Sequence, residues 1–291
     1  MENKITEAKD WISQADALLI GASNGLSIAE GYDIFANDER FRQLFADFQQ
    51  RFGIRNVLEG CFYSYPSESD RETFFKRLRQ VWIDNYEPSE VMTDLRRIVN
   101  GKPYFIITSN ADTHLELSGF DADKVFEIEG AFERTGEIDD KSEELQTFIR
   151  QYANSNLVVL ELGIGSRNRM IKAPLMQLIA QQAGWRYVTL NLAQELFIPQ
   201  HIADRSIGLA GDISKTLKEL STCKGLPIRA AGTIIRMAVE ERLTSRSCHS
   251  LFSILSSTLK IRGTTDRSLR FLPSLTKLWN ISRQKMRKVR R

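Results

Sequence analysis

The stretch Ala17-Leu18-Leu19-Ile20-Gly21-Ala22-Ser23-Asn24-Gly25-Leu26-Ser27 joins a short apolar run to a turn of small and polar residues. A continuous apolar run, without alternating polar residues, is typical of a strand that is covered on both faces. Small residues between a strand and a helix let main-chain N–H groups approach a phosphate, and the helix N-terminus adds favourable partial charge. The turn is neither a complete GxGxxG nor a Walker loop, so a plain tight connection is the alternative.

Four further runs of the same kind follow along the chain: Tyr104–Ile107, Lys124–Ile128, Leu157–Leu160 and Tyr187–Leu190. Helix-like segments lie between them, such as Ala173–Gly184, which has a proline in its first turn and a glycine at its end. Strands that alternate with helices predict an α/β fold with a doubly wound, parallel, Rossmann-like sheet.

A long segment separates the first two apolar runs, about 80 residues where a crossover needs roughly a dozen. Two groups of apolar residues recur in it at helical spacing: Phe41, Leu44, Phe45, Phe48 and Phe52, then Phe74, Phe75, Leu78, Val81 and Trp82. We interpret them as the core of a helical insertion lobe over about residues 36–100. A cleft between this lobe and the sheet is a natural place for a ligand.

Polar or glycine-rich residues follow several of the predicted strands. The segments are Thr108-Ser109-Asn110-Ala111-Asp112, Leu162-Gly163-Ile164-Gly165-Ser166 and Asn191-Leu192. Ligands of open α/β sheets bind at the carboxyl ends of the strands. The convergence of these segments and the first turn on one edge therefore predicts a ligand site there.

The two parts of the chain differ in charge. Residues 222–291 contain 16 Lys and Arg against 3 Asp and Glu, which leaves 24 basic and 34 acidic side chains in residues 1–221. This opposite bias predicts a domain over residues 1–221 and a basic tail over residues 222–291. The tail fits an arm for nucleic acid or an anionic membrane, or an appended extension without order or a selected role.

Composition narrows the class of protein. The residue content excludes wholesale disorder, collagen-like repeats and a coiled-coil rod, and no apolar run approaches the roughly 18 residues of a membrane span. The first residues alternate in charge and lack the apolar segment of a secretory signal. Cys61, Cys223 and Cys248 form no CxxC pair and fit a reducing compartment, so we expect a cytoplasmic protein.

The motifs together, in the order GAS-NGLS, TSNAD, FEIEG, LGIGS, LNL and GLAGDISKTLKEL, resemble those of the sirtuins over about residues 10–220. The sirtuins are NAD-dependent deacylases and ADP-ribosyltransferases. The resemblance is closest to the macrodomain-linked (class M) bacterial sirtuins, which transfer ADP-ribose to protein.

The resemblance implies roles for individual residues, with NAD as the bound nucleotide. Asn110, Asp112 and Glu129 are the implied catalytic residues. The implied NAD contacts are Gly21, Ala22 and Ser23 at the pyrophosphate, Phe35 on the nicotinamide side, Ser109, Asn110 and Asp112 near the nicotinamide and its ribose, Gly163 and Ser166 at the adenosine phosphate and ribose, Asn191 at the adenine ribose, and Asp212 near the adenine.

The chain also departs from the family pattern. Ordinary sirtuins read Glu-Leu-His-Gly, with a catalytic histidine, where this chain has Glu129. An imidazole accepts a proton from a ribose hydroxyl near neutral pH, whereas a carboxylate is a weaker base but favours the positive charge that develops on the ribose as nicotinamide leaves. Ala36 replaces the arginine that follows the family phenylalanine, and residues 131–156 contain no cysteine, so we expect neither a zinc ribbon nor another metal.

These residues lead to a main hypothesis and its alternatives. The main hypothesis is an NAD-dependent protein ADP-ribosyltransferase, for which the resemblance suggests a lipoylated carrier protein as acceptor and a macrodomain hydrolase as the partner that reverses the modification. The alternatives are an NAD-dependent protein lysine deacylase, an NAD hydrolase and a non-catalytic NAD sensor. His114 lies one position before the place of a family histidine and is either a substitute base or a polar residue at a helix start.

Overall fold

The computed structural model describes residues 2–132, 139–166 and 168–222. Its strands are β1 (Ala17–Ala22), β2 (Tyr104–Thr108), β3 (Val125–Glu127), β4 (Leu157–Leu162), β5 (Arg186–Asn191) and β6 (Ser206–Ala210). They form one parallel sheet in the order β3-β2-β1-β4-β5-β6. The predicted doubly wound sheet is thus confirmed, whereas the predicted basic tail, apart from Thr222, lies outside the described residues.

Helices cover both faces of the sheet. They are α1 (Glu2–Gln14), α2 (Asn24–Ala29), α3 (Glu39–Phe52), α4 (Val57–Cys61), α5 (Glu68–Arg79), α6 (Glu90–Val99), α7 (His114–Leu117), α8 (Ser142–Gln151), α9 (Lys172–Gln181) and α10 (Ile213–Ser221). Shorter helical turns are a π-helical turn at Gln80–Asp84 and 3₁₀ turns at Ala122–Lys124, Ala193–Glu195 and Gln200–Arg205. Within the described ranges, no helix has the length and apolar character to cross a membrane.

The central strand β1 shows why its sequence is continuously apolar. Leu18 and Ile20 pack into the core that includes α1, α6 and α10, whereas Ala17 and Leu19 pack into the core that includes α8 and α9. Successive side chains of a strand point to opposite faces. Because both faces are covered, every residue from Ala17 to Ala22 is buried, as the apolar run predicts.

The segment between β1 and β2 contains the predicted helical lobe. Its core is aromatic and is formed by α3, α4, α5 and the π-helical turn, with Phe45, Phe48 and Phe74 at its centre. The C-terminal part of the predicted segment 36–100 packs elsewhere: Leu95 and Ile98 of α6 belong to the core of the sheet. An apolar helical face does not reveal from sequence alone which neighbour it covers.

Two glycines bring the loops after β1 and β4 into direct contact. The Gly25 N–H donates to the Gly163 carbonyl oxygen over 3.1 Å, and a Cβ on Gly25 would lie 2.5 Å from the Gly163 Cα. Gly163 also has a φ of +61°, in the left-handed region that favours glycine. This contact lies between β1 and β4, where the order of the strands reverses, and such switch points are where open α/β sheets bind ligands.

Candidate active site

A cavity of about 410 Å³ lies beside the carboxyl ends of β1, β2 and β3. The lobe supplies an apolar wall that includes Val57, Leu58 and Phe62. The strand ends supply the polar side chains, which are Asn24, Ser27, Ser109, Asn110, Asp112 and Glu129. The cavity therefore has one apolar and one polar side, as small-molecule sites commonly do.

Asn110 and Asp112 are held together by the hydroxyl of Ser27. The Ser27 hydroxyl donates to Asp112 Oδ2 over 2.5 Å and accepts a hydrogen bond from Asn110 Nδ2 over 2.9 Å. Asn110 Nδ2 also donates to the Ser23 carbonyl oxygen over 3.2 Å. Both amide protons are thereby used, and the Asn110 Oδ1 atom is buried without a protein partner. A buried, unpaired acceptor at a cavity is suited to a donor on a ligand.

The backbone after β2 is shaped to place these two side chains. The Asn110 N–H donates to the Thr108 hydroxyl oxygen over 3.0 Å. Thr113 adopts a left-handed φ of 54°, and its N–H donates to the buried Glu127 carboxylate over 3.1 Å. A non-glycine residue in this region stores strain, which is maintained where the surrounding contacts fix it and is found most often at functional sites.

Glu129 and Phe35 reach the same cavity from two other directions. Glu129 follows β3, is exposed and lines the cavity. The chain beyond it returns to the β2 loop, because the Phe132 N–H donates to the Ala111 carbonyl oxygen over 2.8 Å. Phe35 lines the cavity with 49% of its surface exposed.

Cys61 lines the same cavity from the lobe. Burial raises the pKa of its thiol to about 12. A thiol with that pKa is almost entirely protonated at neutral pH, and the thiolate is the nucleophilic form. We therefore assign Cys61 to the wall of the cavity and not to its chemistry.

The predicted pyrophosphate residues lie next to this cavity. Ser23 and Ser109 end adjacent strands, and their hydroxyl oxygens are 2.9 Å apart. Ala22 joins the two segments, because its carbonyl oxygen accepts from the Ser109 N–H over 3.3 Å. Gly21 has a different role in the packing: a Cβ there would overlap Leu175 of α9, so the missing side chain faces the core.

The predicted adenosine residues lie further along the edge and outside the cavity. The exposed Ser166 donates its N–H to Glu195 Oε2 over 2.7 Å. Asn191 donates Nδ2 to the Ile164 carbonyl oxygen over 2.9 Å, which ties β5 to the loop after β4. Asp212 caps α10, because its Oδ1 accepts from the Ser214 N–H over 2.8 Å.

Two residues of this edge have roles that the sequence prediction lacks: Ser27, which was expected only to continue the phosphate loop, and Glu195, which was not predicted. Ser27 is the link between Asn110 and Asp112, and Glu195 brings a carboxylate beside Gly165 and Ser166. An acidic side chain shortly after a strand is the usual partner of a ribose hydroxyl in dinucleotide-binding folds. The position of Glu195 shortly after the fifth apolar run was the signal for it. Ser27 had no comparable signal, because its role depends on residues more than 80 positions away.

The arrangement fits a dinucleotide. From β3 to β6, the edge presents Glu129, Asn110, Ser23, Gly163, Asn191 and Asp212 in that order. The unpaired Asn110 Oδ1 belongs to a residue that lines the cavity, and the close contact of Gly25 with Gly163 leaves small loops at the switch point. In the part of the chain that the structure describes, no group of three or more His, Cys, Asp or Glu side chains is placed to hold a metal ion.

Comparisons with known proteins bear on this site. No family model matches the chain. A protein ADP-ribosyltransferase of Staphylococcus aureus is 23% identical over 276 residues, which cover 74% of this chain and 87% of that protein. A Fusarium oxysporum protein named "Probable bifunctional ADP-ribose hydrolase/ADP-ribosyltransferase" is 30% identical over 135 residues, 45% of this chain but 22% of that protein.

A solved structure shares the fold. It is a triple mutant of a Sir2 homologue in complex with 2′-O-acetyl ADP-ribose, and it is 16% identical to this chain. The match covers 74% of this chain and 94% of that one, with a TM-score of 0.50. The sirtuin-like fold predicted from the motifs is thereby confirmed.

Proposed function

We propose that this sirtuin-like chain cleaves the nicotinamide–ribose bond of NAD and transfers ADP-ribose to a protein acceptor. The observation that carries the proposal is the polar cluster in the cavity, in which the unpaired Oδ1 of Asn110 and the carboxylates of Asp112 and Glu129 share one ligand space. The named activity of the Staphylococcus aureus relative supports the same reaction.

The chain supplies groups suited to each part of this reaction. The bond between the ribose C1′ and the nicotinamide nitrogen breaks with its electron pair on nicotinamide, and a nucleophilic atom of the acceptor forms the new bond to C1′. Asn110 Oδ1 accepts a hydrogen bond from the substrate, and negative charge at Asp112 and Glu129 stabilises the positive charge on the ribose. The acceptor proton passes to the exposed Glu129 carboxylate and from there to water.

The acceptor and the partners are the finer part of the proposal. We propose a lipoylated carrier protein as acceptor, as the family resemblance suggests. The name of the Fusarium relative joins an ADP-ribose hydrolase with a transferase, which supports a macrodomain hydrolase that reverses the modification. The cytoplasmic location stays a prediction, as does the division of the chain between residues 221 and 222.

The test is nicotinamide release from NAD by the full chain, alone and with a lipoylated or unlipoylated carrier protein. Mass spectrometry of the carrier should show an ADP-ribose adduct that requires both NAD and the enzyme. We expect Glu129→Gln and Asn110→Ala each to slow nicotinamide release by about 10²- to 10⁴-fold, the range for loss of a general base or a charge-stabilising group. The exposed Glu87, outside the cavity, provides the matched control Glu87→Gln, with unchanged rate.

Other outcomes identify the alternatives and would overturn the proposal. Free ADP-ribose without an adduct indicates an NAD hydrolase. Acetyl-ADP-ribose formed from an acetylated peptide indicates a lysine deacylase. NAD-dependent thermal stabilisation without nicotinamide release indicates a sensor, since a ligand at 100 times its Kd stabilises by about 2.7 kcal/mol whether or not it reacts.

A further inference from the structure

A second cluster of buried polar side chains lies behind the cavity, on the far side of Asp112. Glu30 follows α2, and His114 is the first residue of α7. Both side chains are fully buried, and His114 Nδ1 lies 3.2 Å from Glu30 Oε2. Neither residue lines the cavity, so His114 does not reach the substrate space as a base.

The hydrogen bonds around this pair define where its proton is held. His114 Nε2 lies 2.8 Å from the Trp82 carbonyl oxygen, which is only an acceptor, so Nε2 carries a hydrogen. On the other side, Glu30 Oε1 accepts from the hydroxyls of Tyr86 over 2.8 Å and Ser89 over 2.6 Å. The short contact between His114 Nδ1 and Glu30 Oε2 therefore needs one further hydrogen, on one of these two atoms.

The charged groups around the imidazole decide which of the two holds this proton. Burial opposes the imidazolium, but the hydrogen bond to Glu30 and the nearby Asp112 and Glu30 carboxylates favour it, and the net effect raises the pKa of His114. The Asp112 Oδ2 atom is 3.7 Å from Nδ1. The Tyr86 ring stacks on the imidazole, with the ring centroids 3.9 Å apart. The Tyr32 ring contacts the imidazole edge-on, with the centroids 4.5 Å apart. These surroundings favour the imidazolium form of His114, which lies beside two carboxylates.

The pair is connected to the cavity through Asp112. Asp112 Oδ1 accepts a hydrogen bond from the His114 main-chain N–H over 3.2 Å, and Asp112 Oδ2 accepts one from the Ser27 hydroxyl. Because the hydroxyl hydrogen of Ser27 points to Asp112, the hydroxyl oxygen of Ser27 accepts the hydrogen bond from Asn110 Nδ2. The direction of each hydrogen bond thus depends on an ionised, correctly rotated Asp112.

We propose that Glu30 and His114 are positioning residues, whose ion pair holds the Asp112 carboxylate and, through Ser27, turns the Asn110 amide oxygen towards the substrate. The inference rests on the proposed function, since it concerns the orientation of that site. The contribution of the imidazolium to this orientation is complete below its ordinary pKa of about 6.5 and is lost as the pH rises through its raised value in the folded protein.

The first test needs no turnover. In the full chain, ¹⁵N NMR of the imidazoles over a pH series gives the pKa of His114, whose signal disappears in His114→Gln. We expect this pKa to lie above the ordinary imidazole value of about 6.5 and to fall in Glu30→Gln, because burial then acts against a weaker carboxylate field. We also expect the Asn110 side-chain amide protons to exchange with solvent at least tenfold faster in His114→Gln, since the Ser27 hydroxyl that accepts from Asn110 Nδ2 is no longer fixed.

The second test measures nicotinamide release. We expect kcat to fall about 10-fold or more in Glu30→Gln and in His114→Gln, with a smaller change in KM for NAD, and His201→Gln to serve as the matched control with unchanged rate. In the unsubstituted chain the alkaline decline of kcat should follow the NMR pKa of His114, and it should move to lower pH in Glu30→Gln. A merely structural pair would lower stability without coupling the pH profile to His114.

The two tests separate failure of this inference from failure of the proposed function. Unchanged amide exchange in folded His114→Gln, or an alkaline limb of kcat that does not move in Glu30→Gln, overturns the positioning role. If the single variants do not fold, the double variant Glu30→Gln/His114→Gln, which removes both charges together, still gives the amide exchange of Asn110 and kcat: unchanged values of both overturn the positioning role. If the unsubstituted chain releases no nicotinamide, the proposed function fails, and the amide exchange still decides whether the pair orients Asn110.

Discussion

Replacing Lys172 by methionine probes a buried ion pair that supports the predicted adenosine end of the edge. Lys172 begins α9, its side chain is 4% exposed, and its Nζ donates to Glu161 Oε1 over 2.6 Å. Glu161 is fully buried in β4 and also accepts from the hydroxyls of Tyr187 and Thr189. Methionine keeps the length and the apolar stem of lysine but leaves the Glu161 carboxylate without a counter-charge.

The magnitude follows from this arrangement. Removal of one partner of a buried ion pair costs about 3–5 kcal/mol, because the other charge stays buried and uncompensated. We expect the lower end, about 3 kcal/mol, since two hydroxyl donors to Glu161 remain. The double variant Lys172→Met/Glu161→Gln should recover more than half of that loss, because it removes both charges. Urea unfolding followed by circular dichroism measures both values, with the m-value as a check on the unfolding model.

The same substitution carries a prediction about NAD. Lys172 Nζ also donates to the Ile164 carbonyl oxygen over 3.2 Å, as Asn191 does, and Ile164 lies between Gly163 and Gly165. We expect Lys172→Met to raise KM for NAD more than it lowers kcat, because it loosens this loop and leaves Asn110 and Glu129 in place. A loss below about 1 kcal/mol at unchanged m-value, or a double variant no more stable than the single one, would refute the reasoning.

Three further predictions concern single residues. Gly25→Ala should lower the free energy of unfolding by about 1–3 kcal/mol in urea, because its Cβ would collide with the Gly163 backbone, whereas Gly165→Ala, whose Cβ meets only an ordinary contact at 3.6 Å, is the control with a smaller loss. In the variant Cys223→Ser/Cys248→Ser, Cys61 should react with iodoacetamide about a thousandfold more slowly in the folded chain than in urea, because burial raises its pKa from 9.0 to about 12. Asp212→Ala should lower the free energy of unfolding by about 1 kcal/mol, because α10 loses its N-terminal cap. If Asp212 also makes the predicted adenine contact, the same variant should have a raised KM for NAD.

The sequence predicts the sheet well where a strand is buried on both faces. The runs at Ala17–Ile20 and Leu157–Leu160 are continuous because each is covered on both faces, and both form strands. Strand β6 is absent from the strands that the sequence predicts. Ser206–Ala210 is an edge strand with alternating burial and a glycine at its centre. A short, half-buried edge strand of small residues has the same local pattern as a loop.

The polar contacts of the site were less predictable than its location. The polar residues that follow the strands predict a ligand site at the carboxyl edge of the sheet. The hydrogen bonds from Ser27 to Asp112 and from Asn110 to Ser27, however, join residues 85 and 83 positions apart. The sequence allows His114 to be a substitute base, whereas the structure buries it against Glu30, outside the lining of the cavity. No spacing rule covers such contacts, because the sheet order and not the local sequence creates them.

The order of the strands is what joins weak motifs into one site. Along the chain the predicted residues run Ser23, Asn110, Glu129, Gly163, Asn191 and Asp212, but along the edge Glu129 and Asn110 lie on one side of Ser23 and the other three lie on the opposite side. The reversal at β1 therefore separates a cavity with carboxylates and an unpaired amide oxygen from an edge where glycines lie beside the Glu195 carboxylate. A ligand that uses both sides must be extended and present different chemical groups to the two sides, as a dinucleotide does.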